Sequence, residues 1–423
     1  MDRFDVAGIG FGPSNISVAV ALAELHPELS CRFIDRKLDF SWHEDLMFPE
    51  AEMQVPFLKD IVSLRNPQSE FSFLAYLKDR GRLHEFINLR TFYPSRREFD
   101  DYYRWVAGRF DASTQWGRNV TSVEADGEYL VVSSVDVSGN DLQRIQTRAL
   151  VIANGGTPKI PADTVVGSRL FHASESLGRL RAGYPDRTAP YRFNIVGSGQ
   201  TTADLFTYLR VEYPNASITI TSRSFAMRPE DDTHFVNELF FPETTDWFYG
   251  ANSSVRERVL REHSSAAHSG ASYDLIPRIY RARYEARVAG SNNYQFERLV
   301  EFIGGSSSGN VARGRYRSLE DGTEREESYD AIILGTGYTY PMPLPLLEGV
   351  SGMFDLGPNG CYQIDRDYSI RTQKISAPQI YLQGYAEATH GFSEVLLSLM
   401  PIRAAEIAEN AARASIEPAC TQI

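Results

Sequence analysis

Two stretches of this chain share one local pattern, an apolar strand running into closely spaced glycines and then into a helix. The first is FDVAGIG at residues 4–10, continuing through Gly12, Pro13, Ser14 and Asn15 into ISVAVALAEL and then the strand CRFID, which ends in Asp35. The second is FNIVGSGQTTADLFTYLR from Phe193, with Gly197, Gly199, Gln200 and Thr201, followed by SITITSR. A strand, turn, helix, strand unit belongs in a parallel sheet. Glycine at its turn permits the tight backbone and lets a diphosphate approach the amides of a helix N-terminus. Two units therefore predict an α/β protein with two Rossmann-like dinucleotide-binding domains.

The flanking residues separate the two sites. Asp35 closes the strand after the first helix, where an acid accepts from a ribose hydroxyl. The corresponding strand of the second unit ends in Ser222 and Arg223, with no acid there. A guanidinium beside a hydroxyl suits a 2′-phosphate, so NADPH is expected over NADH. Read alone, Arg223 is also an ordinary surface arginine. Two further glycine-containing turns, ANGGTP at 153–158 and Leu334 to Tyr338 with Gly335 and Gly337, follow apolar strands where the chain crosses between units. In this order the four segments match the two-dinucleotide flavoprotein layout, FAD first and NADPH second.

Composition narrows the remaining classes. A chain of 423 residues exceeds one core, and its net charge of −12 argues against nucleic acid or an anionic membrane as main partner. Cys31, Cys361 and Cys420 are far apart, and the eight histidines have no ligand spacing, so no metal site is expected. No run of about 20 apolar residues occurs, and the chain enters a strand directly, which reads as soluble and cytoplasmic. Residues 119–153 predict antiparallel strands with a hairpin at Asp126-Gly127, and Asp321-Gly322 marks another turn. GGSSSGN at 304–310 reads as a flexible loop. The expected division is 1–160 and 330–423 for FAD, 161–225 and 295–329 for NADPH, and a helical substrate-binding insertion at 226–294.

Several segments carry a resemblance. Gly10 to Asn15, Ser41-Trp42-His43, MQVPFLKD at 53–60, FVNE at 235–238 and THGFS at 389–393 are similar to the N-hydroxylating flavin monooxygenases of siderophore pathways. Those enzymes hydroxylate the side-chain amine of ornithine or lysine. SLRNPQSEFSFLAYL, FYPSRREFDDYYRW and FVNELFFP resemble the ornithine type most. The layout that the resemblance implies is that of class B flavoprotein monooxygenases. The resemblance implies FAD- and NADPH-dependent conversion of L-ornithine to N5-hydroxyornithine, with O2 used through a C4a-hydroperoxyflavin. It implies a catalytic set of Gln54 beside the flavin, Lys59 on the substrate carboxylate and Asn237 on the amino-acid end. Gly8, Gly10, Gly12, Pro13, Asn15, Asp35, Trp42, His43, His390 and Gly391 would join Gln54 around FAD. Gly197, Gly199, Gln200, Thr201, Ser222, Arg223, Gly335 and Gly337 complete the cofactor set, and a dimer or tetramer is expected.

One segment departs from the family. Ornithine enzymes carry a second substrate asparagine where this chain has Ala267, within SAAHSGA at 265–271. The segment does not match the lysine and diamine enzymes either, although Ser269-Gly270 lies near their pattern. His268 is the candidate replacement contact, and an ordinary histidine is the plainer reading. Lysine, putrescine or cadaverine hydroxylation thus remains the alternative, followed by an NADPH flavin oxidase.

Overall fold

The computed structural model describes residues 1–268, 270–357, 360–372 and 378–416. Strand β1 (Asp2–Ile9) leads into helix α1 (Pro13–Leu25) and β2 (Cys31–Ile34), which lies parallel to β1. Helices α2 (Phe73–Asp79), α3 (Leu83–Leu89) and α4 (Arg96–Ala107) follow. Ser72 and Ser95 cap α2 and α4 by accepting from Ala75 and Glu98 amides, satisfying donors that the first turn leaves free. These helices bury Phe73, Tyr76, Phe99, Tyr102 and Tyr103 against α1. Each side chain of this size stabilises by about 1.5–3 kcal/mol when fully buried.

Strands β3 (Thr114–Gln115), β4 (Arg118–Asp126), β5 (Tyr129–Asp136) and β6 (Leu142–Ile152) extend the first sheet. Its order is β3-β2-β1-β6-β5-β4, and the antiparallel hairpin turns at Asp126-Gly127 as the sequence predicts. After the crossing strand β7 (Thr157–Pro158), a second sheet begins with β8 (Leu170–His172). Helix α5 (Ser176–Gly183), β9 (Arg192–Val196), α6 (Gln200–Glu212) and β10 (Ser217–Thr221) form its second glycine unit.

The segment from 226 to 294 holds α7 (Pro242–Gly250), α8 (Ser253–Glu262) and α9 (Leu275–Val288). Its two halves pack differently. Leu275, Ile279 and Ala282 of α9 join the core of the second sheet, whereas Phe240 and Ala266 pack on Phe392. Strands β11 (Tyr294–Glu297), β12 (Val300–Ser308), β13 (Val311–Ser318), β14 (Glu324–Tyr329) and β15 (Ala331–Leu334) come next. The second sheet is entirely parallel, in the order β11-β10-β9-β15-β8.

Two expectations change here. Gly304 to Ser308 form the end of β12, paired in register with β13, and only the turn at Gly309-Asn310 is loop. The glycines fit a register shift between Phe302 and Gly304, and a Cβ on Gly305 would meet the Arg313 carbonyl at 2.4 Å. The second difference is at residue 330. Strand β15, buried at all four positions, sits between β9 and β8, so the return to the first sheet comes after Leu334.

That return runs through β16 (Tyr338–Thr339), which pairs antiparallel with β7, so the two crossings between sheets lie side by side. Strand β17 (Gln379–Leu382) then pairs with the C-terminal half of β6. The short helix α10 (Glu387–His390) and α11 (Met400–Ile416) complete the fold, with Met400, Ala404, Ile407, Ala408 and Ala411 in the same core as α1. No helix among the described residues is long and apolar enough to cross a membrane.

Candidate active site

The first glycine loop is open where a phosphate would need it open. Gly10 has φ +81°, and a Cβ there would press on the Ala153 carbonyl at 2.5 Å. Gly8 packs on the Phe33 ring. Gly12 caps α1, and nothing lies within 4 Å of where its Cβ would be. The first turn of α1 carries no acid and begins with Pro13, whose missing N–H costs nothing at that position. Buried Asn15 holds the loop from behind, donating to the Gly10 carbonyl at 2.7 Å and the Ile9 carbonyl at 3.2 Å. Asp35 stands beside it, accepting from the Phe11 amide at 2.6 Å and the Lys37 amide at 2.8 Å. A dinucleotide pyrophosphate fits this cradle.

The second loop is built on the same plan. Gly197 has φ +139°, and a Cβ would stand 2.3 Å from the Gly335 carbonyl. Gly199 caps α6, with Thr201 half-buried in the first turn. The Gln200 side-chain oxygen Oε1 accepts from the Ser272 amide at 2.7 Å, while the Gln200 backbone amide donates to the Gly270 carbonyl. Gly337 closes the crossing, its carbonyl accepting from the Lys159 amide. Ser222 is buried and Arg223 exposed, with no ion pair at Arg223 among the described residues. Sequence reading missed two further arginines, one of them packed on Phe225 two residues past Arg223. The Arg298 guanidinium lies over the Phe225 ring at 4.5 Å, and burial together with Arg298 and Arg287 pushes the Arg283 pKa down. Arginines that crowd one another without carboxylates suit an anion.

Between the loops, residues from distant parts of the chain meet. The Gln54 amide nitrogen donates to Glu230 Oε2 at 2.5 Å and lies 3.5 Å from Gln200 Oε1. Lys59 Nζ sits 5.4 Å from the centre of the Phe240 ring. Burial lowers the Lys59 pKa, and Glu230 partly offsets this. Burial pushes Glu230 up to about 7; Asp232 adds to the shift, while Gln54 and Lys59 oppose it. Asn237 is held by its side-chain amide, which donates to the Asp232 carbonyl at 2.7 Å. Ala267 packs against the cluster of Phe240, Ala266 and Phe392, the Phe240 ring of which also faces Lys59, and Asn237 lies three residues before Phe240 in the same helical turn. Its methyl offers no hydrogen bond there. His268 is committed elsewhere: its Nε2 lies 2.6 Å from Glu387 Oε1, an interaction that raises its pKa. Ser269 lies outside the described residues.

The remaining candidates fall into two groups. His43 has φ 50° and its ring is 5.3 Å from Trp42 and 5.9 Å from Tyr338. It is solvent-accessible yet surrounded by protein, and desolvation, then Lys37 and Arg96, push its pKa down to about 4. His390 is buried, stacks on Tyr368 at 4.6 Å and donates from Nε2 to the Arg366 carbonyl at 3.2 Å. It thus supports the turn at Gly391, φ +86°, against Phe248.

A sequence profile described as L-lysine 6-monooxygenase/L-ornithine 5-monooxygenase matches residues 2–340. The chain belongs to this family. Among its members, the L-ornithine N(5)-monooxygenase of Pseudomonas aeruginosa is 39% identical over 414 residues, 95% of this chain and 92% of that one. The solved structure of Kutzneria sp. 744 ornithine N-hydroxylase, with reduced FAD, NADP+ and L-ornithine, superimposes with a TM-score of 0.92 at 31% identity, covering 97% of this chain and 99% of the other. L-lysine 6-monooxygenase from Pseudomonas syringae is 30% identical with a TM-score of 0.83, covering 98% and 100%. The family is thus the one that MQVPFLKD and FVNE resemble, and the fold is its two-sheet α/β layout.

Proposed function

We propose that this N-hydroxylating flavin monooxygenase converts L-ornithine to N5-hydroxyornithine, using FAD, NADPH and O2, for a siderophore or related product. The observation that carries the reading is near full-length similarity to ornithine enzymes; Lys59 5.4 Å from the Phe240 ring and Asn237 in the helical turn that carries Phe240 support it. In this reading the first glycine loop and Asp35 hold FAD, and the second loop with Ser222 and Arg223 holds NADPH. The first sheet with residues after Leu334 is then the FAD unit, the second sheet the NADPH unit, and 226–294 the substrate segment.

FAD held by the first glycine loop and Asp35 would supply the redox chemistry that couples NADPH and O2 to oxygenation of the amine. The protein's work is binding and orientation. Lys59 pairs with the substrate carboxylate, which in a desolvated pocket needs a cation. Asn237 orients the amino-acid end, and Gln54 lines the flavin side. His390 holds the Gly391 turn.

Ala267 favours one second reading, a longer or carboxylate-free amine such as lysine, putrescine or cadaverine, because it withdraws a contact at the far end of the substrate. The test is NADPH oxidation with FAD and all four amines, with hydroxylamine product and peroxide measured separately. Product from ornithine above the others supports the proposal; product from putrescine and none from ornithine replaces it. Peroxide alone points to an oxidase. Self-association, as a dimer or tetramer, and a cytoplasmic location belong to the same proposal and are read by light scattering and fractionation.

A further inference from the structure

An amine must lose its proton before it can attack an electrophilic oxygen, and an alkyl ammonium keeps that proton up to a pH of about 10.4. The pocket therefore needs either desolvation or an acceptor. Five carboxylates, Asp60, Asp204, Glu230, Asp231 and Asp232, lie on or beside the segments that carry Lys59, Gln200 and Asn237, and they differ in what already holds them. Asp60 is buried and accepts from the Val62, Ser63 and Phe73 amides and the Ser63 hydroxyl. Asp204 is paired with Arg96 at 2.9 Å and accepts from Gln200. Asp231 accepts from the Thr233 amide and hydroxyl. Asp231 accepts through Oδ1 alone and Asp232 is exposed to solvent; Glu230 is the one of these whose carboxylate meets Gln54. Gln54 holds its Oε2, and no hydrogen bond reaches its Oε1 among the described residues.

The position of Glu230 is fixed by backbone. Its amide donates to the Ala271 carbonyl at 3.0 Å, and a Cβ on Gly270 would stand 2.6 Å from the Glu230 Cα, so the two segments lie in close contact. The side chain thus reaches Gln54 from the substrate segment, at the boundary with the second glycine loop, where Gln200 also meets Gln54. Charged groups around it are Lys59 from the MQVPFLKD loop and Asp232 from its own loop; the 270–271 segment presents backbone, and α6 presents the neutral Gln200. Lys59 and Glu230 together form a cation and an anion within electrostatic reach of one another. An amino acid bearing a carboxylate and a side-chain ammonium is complementary to that pair.

We propose that Glu230 is the proton acceptor for the substrate amine, taking the proton at Oε1 while Gln54 holds Oε2. The inference rests on the proposed amine N-hydroxylation. In the step one N–H bond of the ammonium breaks, its electron pair remains on nitrogen as the nucleophilic lone pair, and an O–H bond forms on the Glu230 carboxylate. The proton then leaves to solvent as the site reopens. An acceptor poised near neutrality is matched to this task, and the burial that lifts Glu230 to about 7 has that effect. The group is a carboxylate above that pH, so acceptance is lost as pH falls through it.

The test compares wild type with Glu230→Gln, which keeps the shape and the contact to Gln54, and with Glu230→Asp, which keeps the acid. FAD uptake, followed by absorbance, checks that each variant is folded. Hydroxylated ornithine is measured from neutral to alkaline pH. The expected result for Glu230→Gln is a loss of about 100-fold at neutral pH that shrinks as pH approaches the ammonium's own pKa of about 10.4, with Glu230→Asp retaining an acid limb. Infrared titration of the oxidised protein should show a carboxyl band, absent from Glu230→Gln, that titrates near neutrality. A deficit equal at every pH, or product within about twofold of wild type at neutral pH, overturns the proposal. If wild type makes no hydroxyornithine, the ornithine reading fails instead. The same pH comparison on the amine that the wild type does hydroxylate then decides the role of Glu230 separately.

Discussion

The Gln383 side-chain amide donates to the Asn15 carbonyl oxygen at 3.1 Å, joining two buried side chains 368 residues apart. Asn15 grips the first glycine loop through the Gly10 and Ile9 carbonyls. Gln383 is gripped in turn by Arg403, whose Nε donates to it at 3.1 Å, and Arg403 pairs with Glu394 at 3.0 Å. A buried polar chain thus runs from α11 to the loop that would hold FAD. Arg403→Met leaves the Glu394 carboxylate buried and uncompensated, and should destabilise the fold by about 3–5 kcal/mol in urea unfolding. Adding Glu394→Gln should recover part of that loss; no recovery would mean that Arg403 acts by packing alone.

Gly12 and Gly10 should respond differently to alanine. Gly12 has an ordinary φ of −86° and open space ahead, so Gly12→Ala should unfold within about 0.5 kcal/mol of wild type while FAD affinity falls about tenfold. Gly10→Ala meets the Ala153 carbonyl and should lose stability without FAD as well. Denaturant midpoints of the FAD-free proteins, set beside FAD titrations, separate the two effects.

Lys59→Met removes the cation offered to the substrate carboxylate but keeps the stem over Phe240. A charge-assisted hydrogen bond is worth about 1.5–3 kcal/mol, so kcat/KM for ornithine should fall about 10–150-fold, mostly through KM. An unchanged KM would place the carboxylate elsewhere.

Arg223→Ala should raise KM for NADPH about tenfold or more and leave that for NADH alone, since the 2′-phosphate is the only difference between the two nucleotides. Equal loss with both would assign Arg223 a structural role. If the effect is small, Arg298→Ala should carry it, because that guanidinium lies over Phe225 in the same loop.

His390 links pH to stability. Its folded pKa is pushed down to about 4 by burial, helped by the charges of Arg366 and Arg403 and opposed by the hydrogen bond to the Arg366 carbonyl, against an unfolded value of about 6.5. Between these values the unfolded chain binds a proton that the folded one refuses. The contribution is therefore full above about pH 6.5 and drains away as pH falls to about 4, by about 3 kcal/mol in all. Urea unfolding at several pH values should give wild type a steeper acid loss than His390→Gln; parallel curves would refute the assignment.

The glycine turns were legible in the sequence because strand, turn and helix are local, and φ at Gly10 or a cap at Gly12 is set by neighbours in the chain. The same holds for the Asp126-Gly127 hairpin. Glu230 was not legible. It reaches Gln54 across 176 residues, and nothing near it in sequence marks a carboxylate whose burial depends on a distant loop. His268 is likewise held by Glu387, 119 residues on, a pairing that nothing near His268 in sequence marks. Gly304 to Ser308 misled because glycine and serine signal a loop by composition, whereas pairing with β13 is a tertiary fact.

Strand β17 pairs with β6, and α11 packs on α1, so elements from both ends of the chain share one sheet and one core. On the ribosome, the second sheet is complete once Leu334 has emerged, while the first still lacks β17 and α11. The earliest glycine loop to be synthesised is therefore among the last to be braced. A nascent chain stalled before residue 379 should already protect its second sheet from proteolysis while its first half stays open to cleavage.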